Sequence, residues 1–132
     1  MRRTLAAAVL AASAILAAAP AHADDTALVD HTEWVKWGDL SSLRVYPTPA
    51  ARAEAAQLGT LSIGQTAWEQ VLAQAPDADL PGMREQFLCH WQLAEFAQPG
   101  KTSWNLEPWR PEVDAATMIE TGCNPGGTEE PF

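Results

Sequence analysis

Hydrophobic and polar residues alternate in two stretches between Leu28 and Tyr46. Such alternation is typical of β-strands, and Gly38-Asp39 between them suits the two-residue turn of a hairpin. This turn predicts four cross-strand pairs: Trp34 with Leu43, Thr32 with Val45, Glu33 with Arg44, and His31 with Tyr46. It assigns Trp34, Leu43 and Val45 to the core-facing side. The same alternation places a polar patch on the opposite side, formed by His31, Glu33, Arg44 and Tyr46.

A helical period replaces the alternation after Pro47 and predicts two or three helices. Thr48-Pro49 suits a helix start, and Gly59 suits a stop. A second helix is expected over 62–75, with a capping box at SIGQ or TAWE, and a third over 81–97. The second presents Trp68, Val71, Leu72 and Ala75 on one face. The third presents Met83, Phe87, His90, Trp91 and Ala94, beside a second apolar strip of Cys89, Leu93 and Phe96.

The C-terminal third begins with WNLEPWRP at residues 104–111, whose two prolines favour an extended segment. Residues 112–121 fit either a short helix or a strand. The composition after Asn124 predicts a loose end over 126–132. The pattern as a whole predicts an α+β fold with a core over about 28–125, in which an N-terminal hairpin packs on the helices and the chain ends in an extended segment.

The first 23 residues indicate export. Arg2 and Arg3 precede an uncharged apolar run from Leu5 to Ala19 and the small-x-small sequence Ala21-His22-Ala23, as in secretory signal peptides. The run is shorter than the roughly 20 residues of a membrane-spanning helix. No cysteine lies near the cleavage point for a lipid anchor. We therefore expect residues 1–23 to be removed and residues 24–132 to be secreted as a single domain without a membrane anchor.

The net negative charge makes some classes of binding partner unexpected. All 17 acidic residues but only six of the eight basic residues lie after residue 23, so the secreted part is even more acidic than the net charge of −9 indicates. Nucleic acids and anionic membrane surfaces select Lys and Arg, so neither is expected as a partner. The acidity suits either a cationic partner or the solubility of a secreted domain.

Cys89 and Cys123 are the only cysteines. Outside the cytoplasm such a pair predicts a disulfide, which would tie the third helix to the C-terminal end and stabilise the fold by roughly 3–4 kcal/mol. The alternative is a catalytic Cys89 thiolate, which needs a base beside it. The next residue, His90, points about 100° away on a helix.

Six tryptophans are candidates for core packing or for recognition. Three lie on predicted inward faces and are assigned to the core: Trp34, Trp68 and Trp91. The other three have no periodic face and, with a neighbouring arginine, form the candidate binding residues: Trp37, Trp104, Trp109 and Arg110. In the alternative interpretation, WNLEPWRP is structural and locks against the hairpin.

Two histidines remain after the leader. His31 and Glu33 share a strand face, which suits a metal ligand pair or an acid-base pair, whereas the ordinary alternative is an exposed Glu33–Arg44 ion pair. His90 is either a core residue with hydrogen-bonded ring nitrogens or a catalytic base whose carboxylate comes from elsewhere, such as Glu33 or Glu107. With too few zinc ligands nearby, we expect neither a metal nor a cofactor.

The sequence lacks GxSxG, HExxH, CxxC, calcium-loop and phosphate-loop motifs. Three blocks between His31 and Pro125 are distinctive: HTEWVKWGDLSSLRVYPTPAAR, MREQFLCHWQLA, and KTSWNLEPWRPEV with a closing CNP. In order and spacing they resemble the secreted bacterial family, found widely in actinobacteria, that is catalogued as domain of unknown function 2599. The resemblance implies export, a single domain and a Cys89–Cys123 bridge, and it implies no activity.

We therefore expect a secreted, disulfide-closed α+β domain that binds an extracellular protein or a cell-envelope glycan. The alternative is a small secreted hydrolase that joins His90 to a carboxylate from elsewhere in the fold.

Overall fold

The computed structural model describes residues 27–127. These residues form a three-stranded antiparallel sheet and four α-helices, so the α+β prediction is confirmed. The predicted leader, residues 1–23, lies outside the described residues. In chain order the elements are β1 (Val29–Trp37), β2 (Leu40–Pro47), α1 (Pro49–Ala55), α2 (Leu61–Gln74), a single 3₁₀ turn (Pro76–Ala78), α3 (Met83–Ala97), β3 (Trp104–Leu106) and α4 (Ala115–Glu120).

The predicted hairpin is confirmed, including its register. β1 and β2 meet at Gly38-Asp39, and all four predicted cross-strand pairs are present. Gly38 has a φ of 60°, a left-handed conformation that this turn requires and that glycine adopts without steric cost. The register buries Leu43 and Val45 completely, as expected for the core-facing side.

The first three residues of WNLEPWRP form β3 alongside β2, as an extended segment predicts. The prediction is wrong for the rest of the motif, because residues 107–110 form a turn in which the Arg110 N–H donates to the Glu107 carbonyl oxygen at 3.2 Å. The sheet order β1-β2-β3 makes β2 the central strand. Buried Gln86 of α3 then holds the residue that follows β3. Its side-chain amide donates to the Glu107 carbonyl oxygen and accepts from the Glu107 N–H, both at 2.9 Å. The amide pairs with this backbone as another peptide group would, which ties α3 to the sheet.

The helix boundaries differ in part from the predictions. Thr48 caps α1 as predicted, since its Oγ1 accepts from the Ala51 N–H at 3.1 Å, but the helix ends at Ala55 rather than at Gly59. The predicted capping boxes of α2 are wrong, because the helix begins at Leu61 and both motifs lie inside it. Its N-cap, Thr60, does not cap with its side chain.

The core lies between the sheet and the helices, with α3 at its centre. Phe87 and Trp91 of α3 are buried against Trp104 of β3, each with ring centroids 6.0 Å apart. Gly64 lets α2 approach this cluster, since a Cβ there would lie 2.8 Å from Cγ of Trp91. Phe96, predicted in the second apolar strip of α3, is 52% exposed.

The C-terminal part packs on α3 through the disulfide. Cys89 and Cys123 are bonded, as predicted, with their Cα atoms 5.6 Å apart. The undecided segment 112–121 contains α4, whose N-cap Asp114 accepts from the Thr117 N–H at 2.8 Å, and these Thr117 hydrogen bonds lower the pKa of Asp114. No helix within residues 27–127 is long and apolar enough to cross a bilayer.

The expected loose end does not begin at residue 126. Pro125 is buried, and Nη1 of Arg110 donates to the carbonyl oxygens of Pro125 and Gly127 at 3.1 and 3.0 Å. These hydrogen bonds anchor the backbone as far as Gly127. Residues 128–132 lie outside the described part of the chain.

Candidate functional site

The predicted polar patch is assembled on the face of the hairpin opposite the core. The register brings His31 beside Tyr46 and Glu33 beside Arg44. The rings of His31 and Tyr46 are stacked, with centroids 4.0 Å apart and planes 9° apart. Nδ1 of His31 donates to the Asp30 carboxylate at 2.5 Å, which orients the imidazole. The patch therefore contains a flat, oriented pair of rings.

A shallow depression that is open to solvent, here called the sheet pocket, lies at one edge of this patch and has a volume of about 500 Å³. Because β3 pairs with β2, the two hydroxyl residues before β3 are held close to Tyr46. The pocket lining thus includes a guanidinium, a phenol and two hydroxyls, which can donate hydrogen bonds to a ligand from several directions. Its lining residues are Val35, Lys36, Arg44, Tyr46, Thr102 and Ser103.

The solvent exposure of Arg44 differs from the prediction. The sequence places it in an exposed pair with Glu33, and the two residues are indeed opposite each other. Only 7% of Arg44 is exposed, however, at its position on the central strand of the sheet. The expectation of an exposed pair is therefore wrong for Arg44. A guanidinium packed in this way is largely ordered before any ligand arrives, which lowers the entropic cost of binding.

Basic residues surround the sheet pocket. Arg52 donates through Nη2 to the carbonyl oxygens of Lys101 and Thr102, and its Nη1 pairs with Glu95 at 2.7 Å. Carboxylates lie among these basic residues, since Glu95 pairs with Arg52 and Glu33 lies opposite Arg44. Four of the six basic residues after residue 23 line or flank it: Lys36, Arg44, Arg52 and Lys101.

The candidate binding tryptophans lie in three different environments. Trp37 is 50% exposed at the end of β1 and presents a large surface to solvent. Trp104 is completely buried on the core face of β3, so its assignment to a binding surface is wrong. Trp109 is partly buried, and its Nε1 donates to the Ser41 carbonyl oxygen at 3.1 Å. That hydrogen bond joins the segment to the hairpin.

Arg110 is also buried, which corrects its assignment as a binding residue. Its Nε donates to Oε2 of Glu107 at 3.3 Å, and its guanidinium lies 4.4 Å from the centre of the Trp109 ring. Oε1 of Glu107 accepts from the Ser42 hydroxyl at 3.3 Å. The structure thus gives Glu107 and Arg110 a part in fastening WNLEPWRP to the hairpin, as in the structural interpretation of this motif.

His90 links two elements of the core. Its Nε2 lies 3.0 Å from the Asn105 carbonyl oxygen, and because a carbonyl only accepts, Nε2 carries the proton. The residue also lines a pocket of about 410 Å³ that includes Phe96 and Ile119. Glu107, one of its two predicted carboxylate partners, is paired with Arg110. Within residues 27–127 no group of three or more His, Cys, Asp or Glu side chains is placed to hold a metal ion.

Sequence reasoning missed four of the six residues that line the sheet pocket: Val35, Lys36, Thr102 and Ser103. Val35 could have been found from the hairpin register, because it shares the strand face of Glu33, whereas Lys36 alternates to the face of Trp34. Thr102 and Ser103 could not, because their position depends on the pairing of β3 with β2 across a long stretch of chain. No local pattern specifies that pairing.

The chain is similar to one protein family and to several mycobacterial proteins. The model of a family described as "Protein of unknown function (DUF2599)" matches residues 29–126. The uncharacterized protein Rv0477 of Mycobacterium tuberculosis is 59% identical over 105 residues, which cover 80% of this chain and 70% of that protein. The uncharacterized protein ML2452 of Mycobacterium leprae is 48% identical over 101 residues, covering 76% and 81%. No solved structure shows significant similarity. The chain belongs to the DUF2599 family.

Proposed function

We propose that this protein is a small extracellular binding domain and that the sheet pocket is its ligand site. The observation that carries the proposal is the chemistry of the pocket. Donor groups from two segments of chain line one depression, and the stacked rings of His31 and Tyr46 lie beside it. Convergent polar groups beside an aromatic surface are typical of sites that orient a ligand, and sugar rings stack on such surfaces.

The residues of the sheet pocket suit ligand binding better than they suit catalysis. Nucleophilic catalysis needs a nucleophile, an adjacent base and a group that orients the base. The pocket lining offers two cations and three hydroxyls, with neither a histidine nor a carboxylate among them. The hydrolase alternative would require Nε2 of His90 to exchange its hydrogen bond to Asn105 for one to a substrate or a carboxylate.

Export is part of the proposal, and it rests on the leader sequence. The Cys89–Cys123 bridge supports it, because structural disulfides persist in oxidising compartments and are rare in the cytoplasm. A ligand in the cell envelope or the surrounding medium follows from that location.

The test is capture of envelope glycans and extracellular proteins by the purified protein and by two variants. Tyr46→Ala removes half of the ring stack and one wall of the pocket, and we expect binding to weaken about tenfold. Phe96→Ala is the matched control, since it removes a half-exposed aromatic ring that does not line the sheet pocket.

Circular dichroism would establish that both variants are folded. Full binding by folded Tyr46→Ala would contradict the assignment of the site. The alternative outcome is that the protein hydrolyses ester, peptide or glycosidic substrates. If the folded His90→Gln variant then lacked this activity, the assignment as a binding domain would be wrong.

A further inference from the structure

We infer that a cavity between α3 and α4 is a docking site for a cationic protein segment that inserts one bulky apolar side chain. The cavity, here called the α4 pocket, has a volume of about 210 Å³. It shares no lining residue with the sheet pocket, so this site is independent of the proposed function. Its apolar lining includes Leu61, Leu88, Cys89, Val113, Met118 and Ile119.

Two large aliphatic side chains of this lining remain open to solvent. Leu61, at the start of α2, is 38% exposed, and Ile119 of α4 is 51% exposed. Exposed aliphatic groups around an open cavity are typical of surfaces that a partner covers. An apolar cavity of about 150 Å³ holds a benzene molecule, so the α4 pocket has room for one phenylalanine or leucine side chain.

The disulfide holds the walls of the α4 pocket in place. Cys89 of α3 lies in the lining and is bonded to Cys123, which follows α4. Met118, also in the lining, packs with both cysteines in a small buried cluster. α4 is thereby fastened to α3 in the absence of a partner, which lowers the entropic cost of docking.

Carboxylates surround the apolar lining. Glu85 is the only charged residue in the lining itself. The segment that forms the α4 side of the pocket adds three exposed acidic residues: Glu112, Asp114 and Glu120. None of these four carboxylates is in an ion pair within residues 27–127. Residues 111–127 contain no Lys, Arg or His, and residues 57–65, on the α2 side, contain no charged residue.

This distribution of charge decides among the possible occupants. A segment with Lys or Arg beside its apolar anchor complements the carboxylates, and such complementarity speeds association and disfavours like-charged partners. A second copy of the chain would bring the same carboxylates and a net charge of −9 to the interface. An anionic membrane surface would be repelled for the same reason.

The experiment is an NMR titration of the isotope-labelled protein with three end-capped peptides. KKAFAKK carries both the anchor and the positive charge, KKASAKK keeps the charge without the anchor, and EEAFAEE keeps the anchor with the opposite charge. We expect KKAFAKK to shift the amide signals of Leu61, Cys89 and Ile119 and to bind about tenfold more tightly than either control peptide. Its affinity should fall when NaCl is raised to about 0.5 M.

Two pairs of variants locate the effect. Ile119→Ala shortens a side chain of the lining and should weaken KKAFAKK binding about fivefold, whereas Leu80→Ala shortens a 42% exposed side chain outside the lining and should not change it. Glu85→Gln should weaken binding about threefold, and Glu69→Gln, the same change at an exposed position of α2 outside the lining, should not. All four positions are exposed, so the variants should fold.

Several results would overturn the assignment of a cationic, apolar partner. Equal binding of KKAFAKK and KKASAKK would mean that charge alone attracts the peptide, and equal binding of KKAFAKK and EEAFAEE would mean that charge has no part. Peptide-induced shifts at Tyr46 and Thr102 in place of Ile119 would assign the peptide to the sheet pocket.

Two further results would identify a different occupant and so overturn the assignment as well. Concentration-dependent shifts around Ile119 without peptide would identify a second copy of the chain. Broadening of the same signals by phosphatidylcholine vesicles, without binding of KKAFAKK, would identify a lipid surface. Absence of any binding at the α4 pocket would overturn the docking site and leave the proposed function of the sheet pocket unaffected.

Discussion

Glu107→Gln removes the negative charge of a fully buried ion pair while keeping the size of the side chain and one oxygen acceptor. Neither the Glu107 nor the Arg110 side chain has exposed surface. Oε1 of Glu107 accepts a hydrogen bond from Ser42 and Oε2 accepts one from Arg110, both at 3.3 Å. The substitution therefore removes a carboxylate that pairs with a guanidinium in the interior.

The expected loss follows from that burial. Removing one partner of a buried ion pair costs about 3–5 kcal/mol, because the remaining charge stays away from water and loses the attraction of that partner. A domain of this size has a stability of about 5–15 kcal/mol, so the change should be a large fraction of the total. Glu85→Gln is the matched control, since Glu85 is exposed on α3, and its effect should stay within about 0.5 kcal/mol.

The assay is urea unfolding with the disulfide intact, followed by tryptophan fluorescence, for Glu107→Gln, Arg110→Met and the double variant. The double variant restores neutrality, so its loss of stability should be smaller than the sum of the single losses by about 2 kcal/mol. Arg110→Met should also increase hydrogen exchange near Gly127, because the Pro125 and Gly127 carbonyls lose their donor. Additive losses, or a single loss below about 1 kcal/mol, would refute the reasoning.

Three further predictions concern other parts of the fold. Replacing both cysteines by alanine should lower the unfolding free energy by about 3–4 kcal/mol, because the bridge spans 34 residues of sequence, and an unchanged urea midpoint would contradict this. Gly64→Ala should lower the melting temperature, since the new Cβ would lie 2.8 Å from Trp91 and overpacking costs about 1–3 kcal/mol, so an increase would refute the close approach. Asp114 should titrate in NMR below its ordinary pKa of 3.8, because the Thr117 N–H stabilises the carboxylate. Its contribution to α4 should be present above pH 3.8 and be lost as the pH falls through the folded-state pKa, and a titration at or above 3.8 would contradict the cap.

The elements that the sequence predicts correctly are those with local causes. A two-residue turn and the alternation of side chains specify the β1–β2 register, because a slip of one residue would turn every side chain to the opposite face. Thr48-Pro49 specifies the start of α1 in the same way, since the cap bonds to a backbone only three residues away. The disulfide follows from there being two cysteines and no other pairing.

Long-range packing decides the environments that sequence reasoning misassigned. Trp104 and Arg110 belong to a segment without periodicity, so nothing local indicates whether their side chains point inward. β3 buries the first against α3, and the ion pair with Glu107 buries the second. Gln86 on α3, predicted as neither core nor site, is buried because it hydrogen-bonds the backbone after β3.

The same division applies to the candidate site. The sequence by itself determines that His31, Glu33, Arg44 and Tyr46 share one face, since alternation and turn length require it. Only the tertiary structure decides that this face borders a pocket. The pairing of β3 with β2 brings Thr102 and Ser103 to Tyr46 and makes β2, which carries the buried Arg44, the central strand. Such pairing depends on the packing of the whole chain rather than on the residues beside each strand.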